Sequence, residues 1–236
     1  TYTAPEDIIN IALKSGRENM EMFEKMADYL LNNPSETIET AFEKSISQKA
    51  DDFDKNFMDK LEMNFYADMF IRAVIREELL MEMLRSGINV DIFGHGWERF
   101  ILKCDEVQKR EGKFEGKLKL NGETDYKNLC GIYADSKIAL NVLPWFKAGQ
   151  HDRISLAMCN GCVCVSDESI YLEEKFVDSE EIFMYSLEDM NDAAEIIKKL
   201  QAQPLEAAKT AAKGYAHALK ELSFKKYSEI FMSPTS

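Results

Sequence analysis

Residues 88–97 read Ile88-Asn89-Val90-Asp91-Ile92-Phe93-Gly94-His95-Gly96-Trp97. The apolar run at 88–93 predicts a buried strand, and a helix is predicted from 97 to 109. Gly94 and Gly96 predict a tight turn between them, because glycine adopts strained backbone angles and lets other groups approach closely. In α/β folds, ligands bind beyond the carboxyl ends of such strands. The segment therefore predicts α/β structure with a ligand near the turn.

Downstream of the turn, short apolar runs alternate with helical patterns. Strands are predicted at 117–120, 137–143, 162–165 and 182–185, and helices at 125–134, 153–159, 171–176, 187–200, 205–222 and 224–231. The runs lack polar alternation, which is typical of parallel strands that are buried on both faces. We therefore predict a Rossmann-like domain over residues 87–236, a parallel sheet with helices on both faces.

Upstream of the turn, residues 1–86 show helical periodicity without a convincing strand, so we predict an all-helical N-terminal segment. Gly87 supplies a C-cap to the last of these helices. Many methionines lie in this part, and at helical spacing we interpret them as core rather than as an adaptable binding groove. The chain begins with Thr1 rather than Met, which suggests a piece of a longer protein.

Composition limits the possible partners. The formal net charge of −13 argues against nucleic acid and against an anionic membrane surface, since a broad basic face is lacking. No apolar run approaches the ~18 residues of a membrane span, and the N-terminal residues do not show the pattern of a signal peptide. The five cysteines lack the spacing of a zinc site or disulfide framework. Reduced thiols are typical of cytoplasmic proteins, so we expect a cytoplasmic location.

Two candidate binding segments follow predicted strands. The first is the glycine turn, where Gly94, His95 and Gly96 are placed at a ligand, while Trp97 either stacks on a base or sugar or anchors the next helix. The second is 144–153, where Arg153 near a helix start adds a positive charge to free backbone amides and so predicts a pyrophosphate site.

The second segment also contains His151, a candidate acid or base or a donor to phosphate. The structural alternative is a surface loop in which Asp152 caps the helix and Arg153 is solvated. A third segment, 166–171, offers Asp167 and Tyr171 as hydrogen-bonding groups for a sugar or ribose, although serine and aspartate there are also ordinary caps.

Other polar groups are interpreted as structural. Glu77 and Glu78 are expected on a solvated face, and His217 on a structural helix. The chain lacks the order of a Ser-His-Asp triad, a GKS/T phosphate loop and a zinc-binding HExxH motif.

Taken in order, several segments resemble the C-terminal domain of GT-B glycosyltransferases, most closely the group-1-like branch that includes CgeB-type proteins. They are 90–97 (VDIFGHGW), 132–142 (IYADSKIALNV), 153–167 (RISLAMCNGCVCVSD), 171–176 (YLEEKF) and the closing helices at 214–231. The resemblance covers about 63–231 and rests on the ordered set rather than on one motif.

The resemblance implies a nucleotide-diphospho-sugar donor at the carboxyl edge of the sheet and no metal or other cofactor. It also implies an acceptor, of unknown nature, presented by an N-terminal Rossmann domain across a cleft that the loops at 94–97 and 150–153 face. Here 86 helical residues stand in place of that domain. A second departure is Leu156, because the family commonly has a ribose-binding glutamate three residues after the arginine.

Three functions are compatible with these patterns. The first is the donor-binding part of a glycosyltransferase. The second is a catalytically inactive glycosyltransferase-like binding or scaffold module, which Leu156 favours. The third is a sugar epimerase of similar fold, which ranks last because catalytic carboxylates for it are not evident.

Overall fold

The computed structural model of the 236-residue chain describes residues 2–15, 17–45, 57–144 and 147–222, together with Lys226 and Ser228. The strands are β1 (Val90–Ile92), β2 (Leu118–Leu120), β3 (Ile138–Asn141), β4 (Val163–Asp167) and β5 (Phe183–Tyr185). The helices are α1 (Pro5–Ala12), α2 (Arg17–Asn32), α3 (Ile38–Ser45), α4 (Phe57–Arg85), α5 (Glu98–Glu111), α6 (Tyr126–Asp135), α7 (Asp152–Cys159), α8 (Ile170–Lys175), α9 (Met190–Ala202) and α10 (Pro204–Glu221). Contacts divide the chain into two compact units, Thr1–Glu123 and Thr124–Ser236.

Helix α4 organises the first unit, because α1, α2 and α3 all pack against it. Apolar side chains of these helices, among them Ile8, Phe23 and Ile71, are buried, as expected for amphipathic helices that pack together. The interpretation of the methionines as core is confirmed for Met20, Met26, Met63, Met81 and Met83, which are buried, whereas Met58 is exposed.

The first unit also contains a βαβ element. Strands β1 and β2 pair in parallel, with Val90 opposite Leu118 and Ile92 opposite Leu120. Helix α5 joins them and buries Phe100, Cys104 and Val107 against side chains of α4 and Phe114. This packing fixes the start of α5, and with it the glycine turn that precedes the helix.

The second unit is built on three parallel strands in the order β3-β4-β5. Every residue of β4 is buried, as expected for a central strand. Helices α7, α9 and α10 pack on this sheet. Its core combines Ile154 and Met158 of α7 with Cys164 of β4 and Ala218 of α10.

The predicted α/β class, parallel strands flanked by helices after a helical N-terminal part, is confirmed. The described strands form two parallel groups, the pair β1-β2 and the triplet β3-β4-β5. Contacts group β1, α5 and β2 with the N-terminal helices, whereas the sequence-based division after residue 86 places them with the later strands. That division stays a prediction, and the predicted helix at 224–231 lies outside the described residues except for Lys226 and Ser228.

The expectation that Glu77 is solvated is wrong. Glu77 is 1% exposed, accepts a hydrogen bond from the Tyr2 hydroxyl and forms an ion pair with Lys103. Burial and the hydrogen bond to Glu77 raise the pKa of Tyr2 far above its ordinary value. Glu78 is exposed, as expected.

His217 is half-buried against Phe176 and 3.2 Å from Glu181, in agreement with a structural role.

Replacing Glu77 tests this buried network. Glu77→Gln keeps an acceptor for Tyr2 but removes the charge opposite Lys103, so we expect a loss of about 2 kcal/mol in the free energy of unfolding, measured by urea denaturation. Glu78→Gln is the matched control and is expected to change stability by less than about 0.5 kcal/mol. Equal effects of the two substitutions would contradict the assignment.

Candidate functional site

The glycine turn follows β1 and contacts the loop after β2. The Gly94 backbone nitrogen donates to the Gly122 carbonyl over 2.6 Å, and both glycines have positive φ. His95 Nδ1 lies 2.5 Å from the Glu123 carboxylate, and both side chains are exposed. The carboxyl ends of β1 and β2 are therefore joined by backbone and side-chain contacts.

One face of the turn is covered by the N-terminal segment. The Tyr2 nitrogen donates to the His95 carbonyl over 3.0 Å. A Cβ on Gly96, whose φ is +93°, would lie 2.1 Å from the Tyr2 carbonyl oxygen. Glycine is therefore required at 96 for close approach of the Tyr2 backbone, and this requirement exists without any ligand.

Trp97 anchors the start of α5, one of the two roles considered from sequence. Its ring stacks on Tyr2 with centroids 4.0 Å apart and meets Phe100 edge-on at 5.8 Å. One face of the indole is thus occupied by Tyr2 rather than by a base or sugar.

A comparison of alanine substitutions at Gly96 and Gly112 separates the cost of the clash with Tyr2 from the cost of a positive φ. Gly96→Ala adds a clash with the Tyr2 carbonyl to the strain of a positive φ, whereas Gly112 has a similar φ of +103° and open space around its Cβ position. We expect Gly96→Ala to lower the free energy of unfolding by about 2 kcal/mol more than Gly112→Ala. Chemical denaturation measures both, and equal losses would show that Tyr2 does not restrict position 96.

The Arg153 loop leads into α7, and His151 is the N-cap of this helix. His151 Nδ1 accepts hydrogen bonds from the backbone nitrogen and the Nε of Arg153, each over 3.2 Å. The same Nδ1 contacts the Asp152 carboxylate. Protonation of Nδ1 therefore exchanges the capping bond for an ion pair with Asp152. The sequence alternative in which Asp152 caps the helix is wrong, since the N-cap is His151, and Arg153 is half-buried.

Arg153 is a partly desolvated cation at a helix N-terminus. Burial lowers the pKa of Arg153, while Tyr133, Asp152 and Asp167 act in the opposite direction. Within the described ranges, no carboxylate oxygen lies within 4 Å of its guanidinium nitrogens. An arginine stays charged at neutral pH, and the partial positive charge of the helix N-terminus adds to the charge of the guanidinium. The end of α7 can therefore receive an anionic group.

Asp167 lies at the carboxyl end of β4 and is 2% exposed. Its Oδ1 accepts a hydrogen bond from the Leu143 nitrogen over 2.7 Å, so it links β4 to the segment after β3. Burial raises the pKa of Asp167 to about 6. The helix cap in this segment is Ser169, which accepts from the Leu172 nitrogen. Tyr171 is half-buried, and its nitrogen donates to the Lys147 carbonyl over 3.1 Å.

The raised pKa makes stability depend on pH. The ordinary pKa is 3.8, so the folded chain holds the Asp167 proton up to higher pH than the unfolded chain does. The resulting stabilisation is complete at low pH and is lost as pH rises through about 6, by roughly 3 kcal/mol. Relative to the parent chain, Asp167→Asn should therefore gain about that much stability between about pH 4 and about pH 7.

Urea denaturation across this pH range measures the difference. Asp135→Asn, at an exposed aspartate, accounts for the general effect of removing one negative charge. A difference between Asp167→Asn and the parent chain that does not change with pH would contradict the burial-driven shift.

Sequence reasoning assigned no role to two polar residues near Asp167, namely Asn141 and Gln150. With Asp167, Ser166 and His151 they line a small cavity at the carboxyl ends of β3 and β4. The position of Asn141 within the apolar run at 137–143 is a signal that sequence reasoning could have used. Gln150 lies in the candidate loop at 150–153, but its hydrogen bond to Ser155 becomes evident only in three dimensions.

Three further properties of the part of the chain that the structure describes concern metal binding, membrane spanning and cysteine reactivity. These residues contain no group of three histidine, cysteine or acidic side chains that could hold a metal ion. Among them, no helix is long and apolar enough to cross a membrane. All five cysteines are free, and burial raises the pKa of Cys104 to about 11 and that of Cys162 to about 12, which suppresses thiolate formation.

A profile of the glycosyl transferase-like family matches residues 72–232. No curated protein matches the chain. Among solved structures, Anabaena HepE in complex with UDP and glucose is similar at a TM-score of 0.52 and 16% identity, over 67% of this chain and 44% of HepE. HepE in complex with UDP-glucose gives a TM-score of 0.51 at 16% identity, over the same shares of the two chains.

A variant of S. aureus TarM in complex with fondaparinux, alpha-GlcNAc-glycerol and UDP is similar at a TM-score of 0.52 and 19% identity, over 67% of this chain and 33% of TarM. At these identities the likeness is one of fold. This chain spans less than half the length of either protein.

Proposed function

The chain belongs to the glycosyl transferase-like family, and we propose that it is the donor-binding part of a glycosyltransferase that takes a sugar from a nucleotide diphosphate. The observation that carries the proposal is the half-buried Arg153 guanidinium at the N-terminus of α7, with no carboxylate oxygen within 4 Å of it among the described residues. UDP in the HepE and TarM structures supports a nucleotide as the ligand class.

The proposed chemistry is electrostatic. When the bond between the sugar and the diphosphate breaks, negative charge grows on the leaving diphosphate. The Arg153 guanidinium at the N-terminus of α7 is fixed before the reaction, so it stabilises this charge without reorganising. His151 is proposed as the acid or base, because its Nδ1 caps the helix and its ring is half-buried beside Arg153.

The other predicted binding residues remain proposals, and the geometry supports some of them better than others. Gly94 and His95 lie at the carboxyl end of β1, with the His95 side chain exposed. Gly96 is covered on one side by Tyr2, so the support for a ligand there is weaker. Asp167 is buried and would act by shaping the site, whereas Tyr171 is half-buried.

The finer assignments are also proposals. We propose a CgeB-type branch, no metal or other cofactor, an unknown acceptor, and an N-terminal Rossmann domain supplied from outside this chain. The free cysteines support a cytoplasmic location. Nucleic acid is not proposed as a partner, because the net charge is −13.

Calorimetric titration with UDP tests the site. Arg153→Ala should weaken UDP binding by at least about tenfold, since charge-assisted hydrogen bonds to the phosphates are lost. Arg85→Ala is the control, because Arg85 is exposed, pairs with Glu111 and changes the net charge equally. We expect less than about a twofold change for it. Equal affinity of the Arg153→Ala variant and the parent chain, or no binding by the parent chain, contradicts the proposal.

A second candidate is a glycosyltransferase-like module that binds without catalysis. Leu156 favours it, because an apolar side chain stands where the family commonly has a ribose-binding glutamate. The two candidates differ in whether UDP-glucose or another nucleotide sugar is consumed by the full-length protein. Release of UDP, measured by a coupled assay with the Arg153→Ala variant as background, favours the enzyme.

A further inference from the structure

Two residues that line the cavity beside Asp167 each carry a buried hydrogen-bond acceptor with no donor among the described residues. Asn141 is 3% exposed; its Nδ2 donates to Ser166 Oγ over 2.8 Å, and its buried Oδ1 has no such donor. Gln150 Nε2 donates to Ser155 Oγ over 2.9 Å, and its buried Oε1 also has no partner. Both residues line the same cavity. Buried acceptors without donors are costly, so a group that donates hydrogen bonds is required here.

The size and chemistry of the cavity limit the occupant. It has room for roughly one water molecule. A water molecule has two hydrogens, which matches the two acceptors, and its oxygen can accept in turn from a hydroxyl of the lining, such as Ser169. A single alcohol hydroxyl would satisfy one acceptor and leave the other unpaired.

We propose that one buried water molecule donates to both Asn141 Oδ1 and Gln150 Oε1 and thereby ties the N-terminal part of α7 to the end of β3. Gln150 reaches α7 through Ser155, and Asn141 belongs to β3 and contacts β4 through Ser166. The water closes this chain of hydrogen bonds between the helix and the sheet. Asn141 and Gln150 are then positioning residues for the end of α7, which carries Arg153.

A crystal structure of the full chain, at a resolution that orders internal water, is the first test. The expected result is one water within hydrogen-bonding distance, about 2.7–3.2 Å, of both oxygens. Three results overturn the proposal: an empty cavity, a direct hydrogen bond between either oxygen and protein, or an ion at the shorter distances typical of metal–oxygen contacts.

A double-mutant cycle tests the coupling in solution. Asn141→Leu and Gln150→Met each remove one acceptor, and a shared water makes their effects on the unfolding equilibrium constant non-additive by about fivefold or more. Ser155→Ala is the matched control, because it removes the other hydrogen bond of Gln150 and leaves Oε1 in place. Additive effects of Asn141→Leu and Gln150→Met overturn the proposal, as does a coupling of Asn141→Leu to Ser155→Ala of the same size.

The consequence for ligand binding rests on the proposed function. If Arg153 binds UDP, Gln150→Met should raise the dissociation constant of UDP about tenfold through displacement of the end of α7, and Ser155→Ala should raise it less. Failure of the parent chain to bind UDP refutes the proposed function alone, because the crystallographic water and the unfolding cycle are read without nucleotide. Unchanged UDP affinity of Gln150→Met, in a chain that binds UDP, refutes the positioning role.

Discussion

The hydrogen bond from the Leu143 backbone nitrogen to the Asp167 carboxyl sets the geometry of the second unit at its carboxyl edge. β3 ends at Asn141, and the chain must then turn away from the sheet to reach α7. A backbone nitrogen just beyond a strand end loses its sheet partner, and burial makes an unpaired donor costly. Asp167 supplies the acceptor from the neighbouring strand, so the path of the segment that leads to His151 and Arg153 is fixed at its start.

The burial of the Asp167 carboxyl group at this hydrogen bond has an electrostatic consequence. A carboxyl group taken almost completely out of water favours its protonated form, and here the backbone donors, Lys147 and the Ser166 hydroxyl do not fully compensate. The same low-dielectric surroundings lower the pKa of Arg153, although not enough to discharge it. Burial thus favours the neutral form of Asp167 and leaves the positive charge of Arg153 intact. The local field is more favourable to an anion than the net charge of the chain suggests.

Local patterns in the sequence were sufficient for the strands at 138–141 and 163–167 and for the start of α7, because continuous apolar runs and a change of period are local properties. Long-range partners were not predictable. Glu77 has the sequence surroundings of a solvated glutamate, but Tyr2, which lies 75 residues away, donates a hydrogen bond to it in the core. Gly96 was recognised as a required glycine, yet the group that requires it is the Tyr2 backbone rather than a ligand. In both cases the missing information was which distant segment packs there.

Leu156 and Arg153 lie three residues apart on α7, and together they define what the proposed site can recognise. The guanidinium and the helix amides bind phosphate charge, which every nucleoside diphosphate carries. A site recognises a ribose hydroxyl through a hydrogen-bond acceptor that is unpaired without it, and an apolar side chain provides no acceptor. Affinity at this site would therefore come mainly from charge and weaken with added salt. Discrimination between nucleotides at the proposed donor site must then come from groups other than residue 156.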